Sequence, residues 1–278
     1  MSNLTKSIPA DERKMLKKAF WRSFTLYAAV SPAKQGASGF CYALMPFINK
    51  FYKNDEEGKK EALVRSMSYF NTTITCSTFS GKAVCRLVWD MNKAESDAYL
   101  EKALSGIPEN FSGRLLEVPV GTGILTMPVY QTMPEADITC LDYSADMMGQ
   151  AQEKAEHLRL KNVAFRQGDV GALPYADDTF DIVLSLNGFH AFPDKETAYR
   201  EVFRVLKPGG TFCGCFYVRG EHKRTDWFVR HIYEKTGFFT PPYETTASLK
   251  KRLEKRYAAV TLGTVKSMVW FVCRKGNQ

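Results

Sequence analysis

The chain has 278 residues, 45% hydrophobic and 24% charged, a composition ordinary for a soluble globular protein with room for one large α/β domain plus something smaller. Its net charge of +8 is carried by residues 1–80 and 219–278 around a net acidic middle, a pattern that suits either an anionic partner or solvated helix faces. No apolar run approaches the ~20 residues of a membrane-spanning helix, and no secretory signal is visible. The seven cysteines are odd in number and contain no Cys-x-x-Cys pair, so they read as reduced thiols of a cytoplasmic chain. Cys213-Gly-Cys215 is spaced too tightly for a zinc site, and no metal is expected.

In chain order, residues 11–29 read as a basic amphipathic helix, with Met15, Leu16, Ala19, Phe20 and Phe24 at helical spacing. After an apolar stretch from Phe40 to Tyr52, Asp55-Glu-Glu opens a helix that runs to about Phe70. The polar, turn-like residues 71–80 mark a boundary between an N-terminal helical segment, 1–80, and a second domain, 81–278. Short helices are expected at about 81–91 and 95–104. Strand then alternates with helix: strand Arg114–Val120, helix Gly123–Thr132, strand Ala136–Tyr143, helix Ala145–Arg159, strands Val163–Gln167 and Phe180–Asn187, and helix Asp194–Leu206. Lys207-Pro-Gly-Gly210 reads as a helix stop before strand Thr211–Val218. Helices near 225–236 and 247–257 lead to strands at about 259–265 and 268–274. This alternation predicts an α/β fold, a mostly parallel sheet covered by helices on both faces.

In such a sheet a ligand binds beyond the carboxyl ends of the strands. The first strand ends in Glu117-Val-Pro-Val-Gly121-Thr-Gly123, where glycine lets the backbone turn tightly and approach a ligand. The second ends in Asp142, placed to accept hydrogen bonds from both hydroxyls of a ribose. Asp169 follows the third strand, where a carboxylate can accept from an exocyclic amine; Asn187 and His190 follow the fourth. A pyrophosphate dinucleotide wants G-x-G-x-x-G, and here Ile124-Leu125-Thr126 supplies no third glycine. Glu117 faces anionic phosphate poorly and suits a cationic sulfonium and amine.

The run Glu-x-x-x-Gly-x-Gly, then Leu141-Asp142-Tyr-Ser-x-x-Met147-Met148, Gln167-Gly168-Asp169, Phe180-Asp-Ile-Val183 and Val205-Leu-Lys-Pro-Gly-Gly210 resembles the class I methyltransferase family over about residues 81–275. The resemblance implies a Rossmann-like, seven-stranded, mostly parallel sheet whose last strand inserts antiparallel. It also implies S-adenosyl-L-methionine as cofactor, with contacts at Glu117, Gly121, Gly123, Asp142, Tyr143, Met147, Asp169, Val170 and Asn187. Pro119 departs from the family pattern, standing where a first glycine is usual; it fixes φ and has no N–H, so the loop's glycine contacts fall to Gly121 and Gly123.

The expected activity is in-line methyl transfer to a small-molecule acceptor, without a nucleic-acid partner. His190 is the candidate general base, since it titrates near neutrality and follows the fourth strand. His231 is a second residue that can touch the acceptor. The aromatic stretch Gly237-Phe-Phe-Thr-Pro-Pro-Tyr243 reads either as a lid over a planar or apolar acceptor or as ordinary packing.

Residues 10–80 differ. Phe20-Trp-Arg-Ser-Phe-Thr-Leu26, Gly39-Phe-Cys-Tyr-Ala-Leu-Met-Pro46 and Tyr69-Phe-Asn-Thr-Thr73 resemble the N-terminal part of the IID component of mannose-family sugar phosphotransferase systems. Their basic face and Phe/Trp content allow a peripheral membrane contact through residues 1–80. The alternative reading is therefore a membrane-associated component of such a system carrying a methyltransferase-like domain.

Overall fold

The computed structural model describes residue 11, residues 45–50, 52–53 and 55–66, and residues 88–277 apart from 236 and 238. The chain divides into two compact units, Met1–Thr72 and Thr73–Gln278. The predicted helix at 11–29 beyond its first residue, the expected boundary at 71–80 and most of the predicted helix at 81–91 lie outside the described residues. In the first unit the chain is helical at 45–50 and again in α1 (Glu56–Ser66), whose first turn carries Glu56 and Glu57 as the helix dipole favours.

The described part of the second unit begins with Val88–Met91, which is not helical, and α2 (Lys93–Leu104). Asn92 caps α2 in a capping box: its side chain accepts from the Glu95 N–H while Glu95 accepts from the Asn92 N–H. Then come β1 (Arg114–Glu117), α3 (Met127–Tyr130), β2 (Asp137–Asp142), α4 (Ala145–His157), β3 (Val163–Gln167), β4 (Phe180–Leu186), α5 (Lys195–Val205), β5 (Leu206–Tyr217), α6 (Lys223–Phe228), α7 (Thr246–Glu254), β6 (Ala259–Val265) and β7 (Met268–Arg274). The strands form one seven-stranded sheet in the order β3-β2-β1-β4-β5-β7-β6. It is parallel from β3 to β5, and β7 runs antiparallel to both its neighbours. This is the Rossmann-like architecture the sequence predicts, with β1 and β4 at its centre.

Successive side chains of a strand point to opposite faces, and two cores result. On one face Leu115, Ile138, Ile182 and Leu184 pack with Tyr99 and Ala103 of α2, Tyr130 of α3, and Ala151 and Ala155 of α4. On the other, Leu116, Val183, Phe212 and Phe271 pack with Leu249 and Leu253 of α7 and with Ala198, Tyr199, Val202 and Val205 of α5. Those four residues of α5 recur at helical spacing and form one buried stripe. Each large apolar side chain buried this way contributes roughly 1.5–3 kcal/mol.

Two predicted boundaries move. The helix expected at Gly123–Thr132 shrinks to the single turn Met127–Tyr130, because residues 118–126 are committed to a loop. The helix stops before Lys207-Pro-Gly-Gly210 as expected, but the strand expected from Thr211 already begins at Leu206, so these residues lie inside β5, whose pairing with β4 shifts register between Phe180 and Ile182 to absorb them. Within β5, Cys213 and Cys215 are buried on one face, and burial pushes both thiols up to about 12, so they pack as small hydrophobes. Between them Gly214 pairs with Ser185 of β4 and Phe271 of β7. A Cβ there would lie 2.0 Å from the Ser185 carbonyl oxygen, which a central strand cannot move aside. Gly214→Ala is therefore expected to destabilise the fold by about 3 kcal/mol, read as a lowered urea-unfolding midpoint at unchanged slope.

Candidate functional site

The carboxyl ends of β1, β2, β3 and β4 open into one cavity of about 640 Å³. Glu117, Gly121, Gly123, Asp142, Tyr143, Met147, Asp169, Val170, Asn187 and His190 all line it. Residues far apart in sequence are thus brought together because parallel strands end on the same edge.

Glu117, the last residue of β1, is buried. Its Oε2 accepts from the Tyr130 hydroxyl at 2.8 Å and from the Cys140 thiol at 3.6 Å. Burial dominates and pushes its carboxyl up to about 8, with the neighbouring Asp142 adding to the rise. The loop that follows contains a cis Val118–Pro119 peptide and positive φ at Gly121 (56°) and Gly123 (64°), a conformation that explains both glycines. The Gly121 N–H donates to Asp142 Oδ2 at 2.7 Å, tying the loop to the end of β2.

Asp142 Oδ1 accepts from the Ser144 N–H at 2.9 Å, and Ser144 in turn caps α4 by accepting from the Met147 N–H. Burial raises the Asp142 pKa, although the backbone donors oppose it. A carboxylate oxygen has room for more than one donor, so Asp142 retains capacity for hydroxyls in the cavity. Tyr143 beside it is 77% exposed. Asp169 follows β3 and caps the short turn Val170–Ala172, accepting from the Gly171 N–H at 2.8 Å. Asn187 takes φ 57° as the chain leaves β4, and its N–H donates to the Cys215 carbonyl at 2.7 Å. The polar lining of the cavity thus includes three acids, and among the described residues no lysine or arginine lines it. That set of acceptors fits a cofactor with ribose hydroxyls and positive charge, and fits a pyrophosphate poorly.

His190 is buried, and its ring stacks on Phe239 with centroids 4.0 Å apart. Its Nδ1 faces the Tyr217 backbone N–H at 3.3 Å and accepts from it, which leaves the ring proton on Nε2. Burial, reinforced by Lys195, pulls its pKa down to about 3. The ring of this cavity-lining residue is therefore neutral, with its donor at Nε2, and its geometry does not supply the free basic nitrogen that a general base needs. An NMR titration of the imidazole signals is expected to show His190 unchanged between pH 5 and 8, where an exposed histidine titrates. His231 is exposed, stacks on Trp227 and does not line the cavity.

Several lining residues carry no signal in the sequence. Trp89, Met91 and Tyr99 come from the segment before β1, Tyr233 from the π-helical turn Val229–Tyr233 that continues α6, and Met268 from β7. Phe239 belongs to the aromatic stretch that ends at Tyr243. Trp89 lies 6.4 Å from Tyr233 and 6.2 Å from Phe239, ring centre to ring centre.

Comparison with known proteins matches residues 112–254 to the model of a methyltransferase domain, and residues 12–107 to that of the mannose/fructose/sorbose-family IID component of the phosphotransferase system. The second match runs past residue 80 into α2, which packs on the sheet of the second unit. A demethylmenaquinone methyltransferase of Thermus thermophilus is 39% identical over 97 residues, covering 35% of this chain and 44% of the relative. The chloroplastic 2-methyl-6-phytyl-1,4-hydroquinone methyltransferase 2 of Oryza sativa is 34% identical over 138 residues, covering 50% of this chain and 38% of the relative. The chain thus spans less than half the length of either relative. Among solved structures, the YcgJ protein of a Bacillus shares the fold with a TM-score of 0.52 at 23% identity, over 60% of this chain and 71% of that one. With the methyltransferase model covering half of its residues and the seven-stranded sheet carrying the acids at its strand ends, the chain belongs to the class I S-adenosylmethionine-dependent methyltransferase family.

Proposed function

We propose that this chain transfers a methyl group from S-adenosylmethionine to a small-molecule acceptor within the cavity. The observation that carries this reading is the convergence of Glu117, Asp142 and Asp169, from three successive strand ends, on one cavity without a lining lysine or arginine among the described residues. In this reading Asp142 accepts from the ribose hydroxyls, Asp169 accepts from the adenine amine, and Glu117 lies toward the cationic methionine end. Gly121 and Gly123 let the loop come close, Val170 and Met147 pack beside the base, Tyr143 borders the opening and Asn187 faces the methionine end. S-adenosylmethionine, when bound, supplies an electrophilic methyl group on a sulfonium.

The protein's own contribution is alignment and exclusion of water, and alignment is worth roughly 7–11 kcal/mol of barrier in well-oriented systems. The two relatives named above are called methyltransferases of a menaquinone precursor and of a hydroquinone, which supports a small acceptor with apolar character. Calorimetric titration of the full chain tests the reading. S-adenosylmethionine is expected to bind at one site and NAD is not; tight NAD binding without S-adenosylmethionine binding would overturn it.

A further inference from the structure

The cavity is lined by two chemically different sets of residues. One is acidic and loop-borne: Glu117, Asp142 and Asp169 with the glycines between them. The other is aromatic. Trp89, Tyr233 and Phe239 contact one another ring to ring, with Tyr233 and Phe239 centred 5.1 Å apart, and His190 stacks on Phe239. This second set carries no formal charge. An anion placed there would give up its hydration with no cation to receive it, which is costly. A cation would meet aromatic faces, which attract it, but also the Nε2–H of His190, which repels it. The set offers flat apolar surfaces and neutral polar groups at their edges, the Nε2–H of His190 among them. Its complement is a flat ring with one oxygen.

We propose that Trp89, Tyr233, Phe239 and His190 form the acceptor subsite, and that it takes an uncharged, planar aromatic molecule whose oxygen accepts a hydrogen bond from His190 Nε2–H. This rests on the reading of the cavity as a methyl-transfer site and narrows its acceptor class. The ring that Trp89 contributes comes from outside the residues matched to the methyltransferase model and inside those matched to the IID component. The subsite is thus assembled in part from a segment that the methyltransferase match does not reach. His190 acts in it as a positioning residue and takes no proton, since its accepting nitrogen is already engaged by the Tyr217 N–H.

The test uses the full chain saturated with S-adenosylhomocysteine and three probes of one shape: naphthol, naphthoate and naphthylmethylammonium with the same ring attachment. Naphthol is expected to bind roughly tenfold more tightly than either charged probe, a difference that calorimetry resolves easily. Trp89→Ala and Phe239→Ala are expected to weaken naphthol by roughly tenfold or more. His190→Phe, which keeps the stacking and removes the donor, should weaken naphthol several-fold while leaving naphthalene unchanged. Equal or tighter binding of naphthoate or of the ammonium probe overturns the proposal, as does the absence of naphthol binding. Retained S-adenosylhomocysteine binding certifies that each variant is folded. Should Trp89→Ala fail that check, the probe series on the unaltered chain decides by itself. Failure of the unaltered chain to bind S-adenosylhomocysteine would instead sink the methyl-transfer reading.

Discussion

Replacing Asp142 by alanine is expected to weaken S-adenosylmethionine binding by roughly a hundredfold or more, because two hydrogen bonds to a carboxylate, each worth about 1.5–3 kcal/mol, are lost together. The loss has a second source. Asp142 Oδ2 holds the Gly121 N–H at 2.7 Å and Oδ1 holds the Ser144 N–H at 2.9 Å, so the same side chain sets the glycine loop against the start of α4. Alanine releases both. Asparagine keeps one accepting oxygen and is expected to fall between alanine and the wild type. The free fold should suffer little. Burial already raises the Asp142 pKa, which means that the ionised carboxylate is poorly solvated where it stands and is not a large source of stability. Calorimetric titration of both variants, with thermal unfolding as a check on folding, measures this. Unchanged affinity in Asp142→Ala would remove Asp142 from the site.

The second large effect concerns stability and pH. Glu117 is buried, and its carboxyl is raised from 4.5 to about 8 chiefly by desolvation. A raised folded pKa means that the native state holds a proton which the unfolded chain gives up at lower pH. Stability from this group is therefore complete below about pH 4.5, declines as pH rises above that, and is gone above about pH 8. The shift is worth on the order of a few kcal/mol. Glu117→Gln carries no such proton, and its amide oxygen still accepts from the Tyr130 hydroxyl. The variant is expected to match the wild type near pH 5 and to be more stable by a few kcal/mol near pH 9. Urea-unfolding midpoints at the two pH values check this, and an equal difference at both would refute the assignment. The same substitution should weaken S-adenosylmethionine binding, since a cation arriving beside Glu117 lets the carboxyl release its proton and meet it as a carboxylate, which an amide cannot do. Gain in stability with loss of binding is the expected pattern for an acid retained for function.

Much of this architecture is legible in the sequence. The segments that form β1, β2 and β4 are near-continuous apolar runs, which is how strands buried on both faces read. The acids at 117 and 142 close such runs, and Asp169 follows the end of β3 by two residues. Helix α5 declares itself by an apolar stripe and by Asp194, whose side chain caps it by accepting from the Thr197 N–H. Where the sequence misleads, the causes are physical. Gly123–Thr132 has helix-compatible residues, but the positive φ at Gly123 and the Gly121 tie to Asp142 keep the chain in a loop as far as Thr126. Lys207-Pro-Gly-Gly210 does end the helix, at Val205, but Pro and Gly usually break strands, so the sequence starts the next strand only at Thr211; a register shift beside β4 admits these residues into β5.

By itself, then, the sequence determined the parallel α/β sheet, the order of its elements and the acidic end of the cavity. These follow from local periodicity and from the rule that parallel strands present their carboxyl ends together. Only the tertiary structure decided the other wall. Trp89 is far in sequence from Tyr233 and Phe239, on a segment with no shared local pattern, and the three meet because α2 and the turn after α6 pack on the same face of the sheet. It also decided the protonation of Glu117 and His190. A carboxyl and an imidazole look ordinary in a sequence, and it is the burial around each that moves one up to about 8 and the other down to about 3.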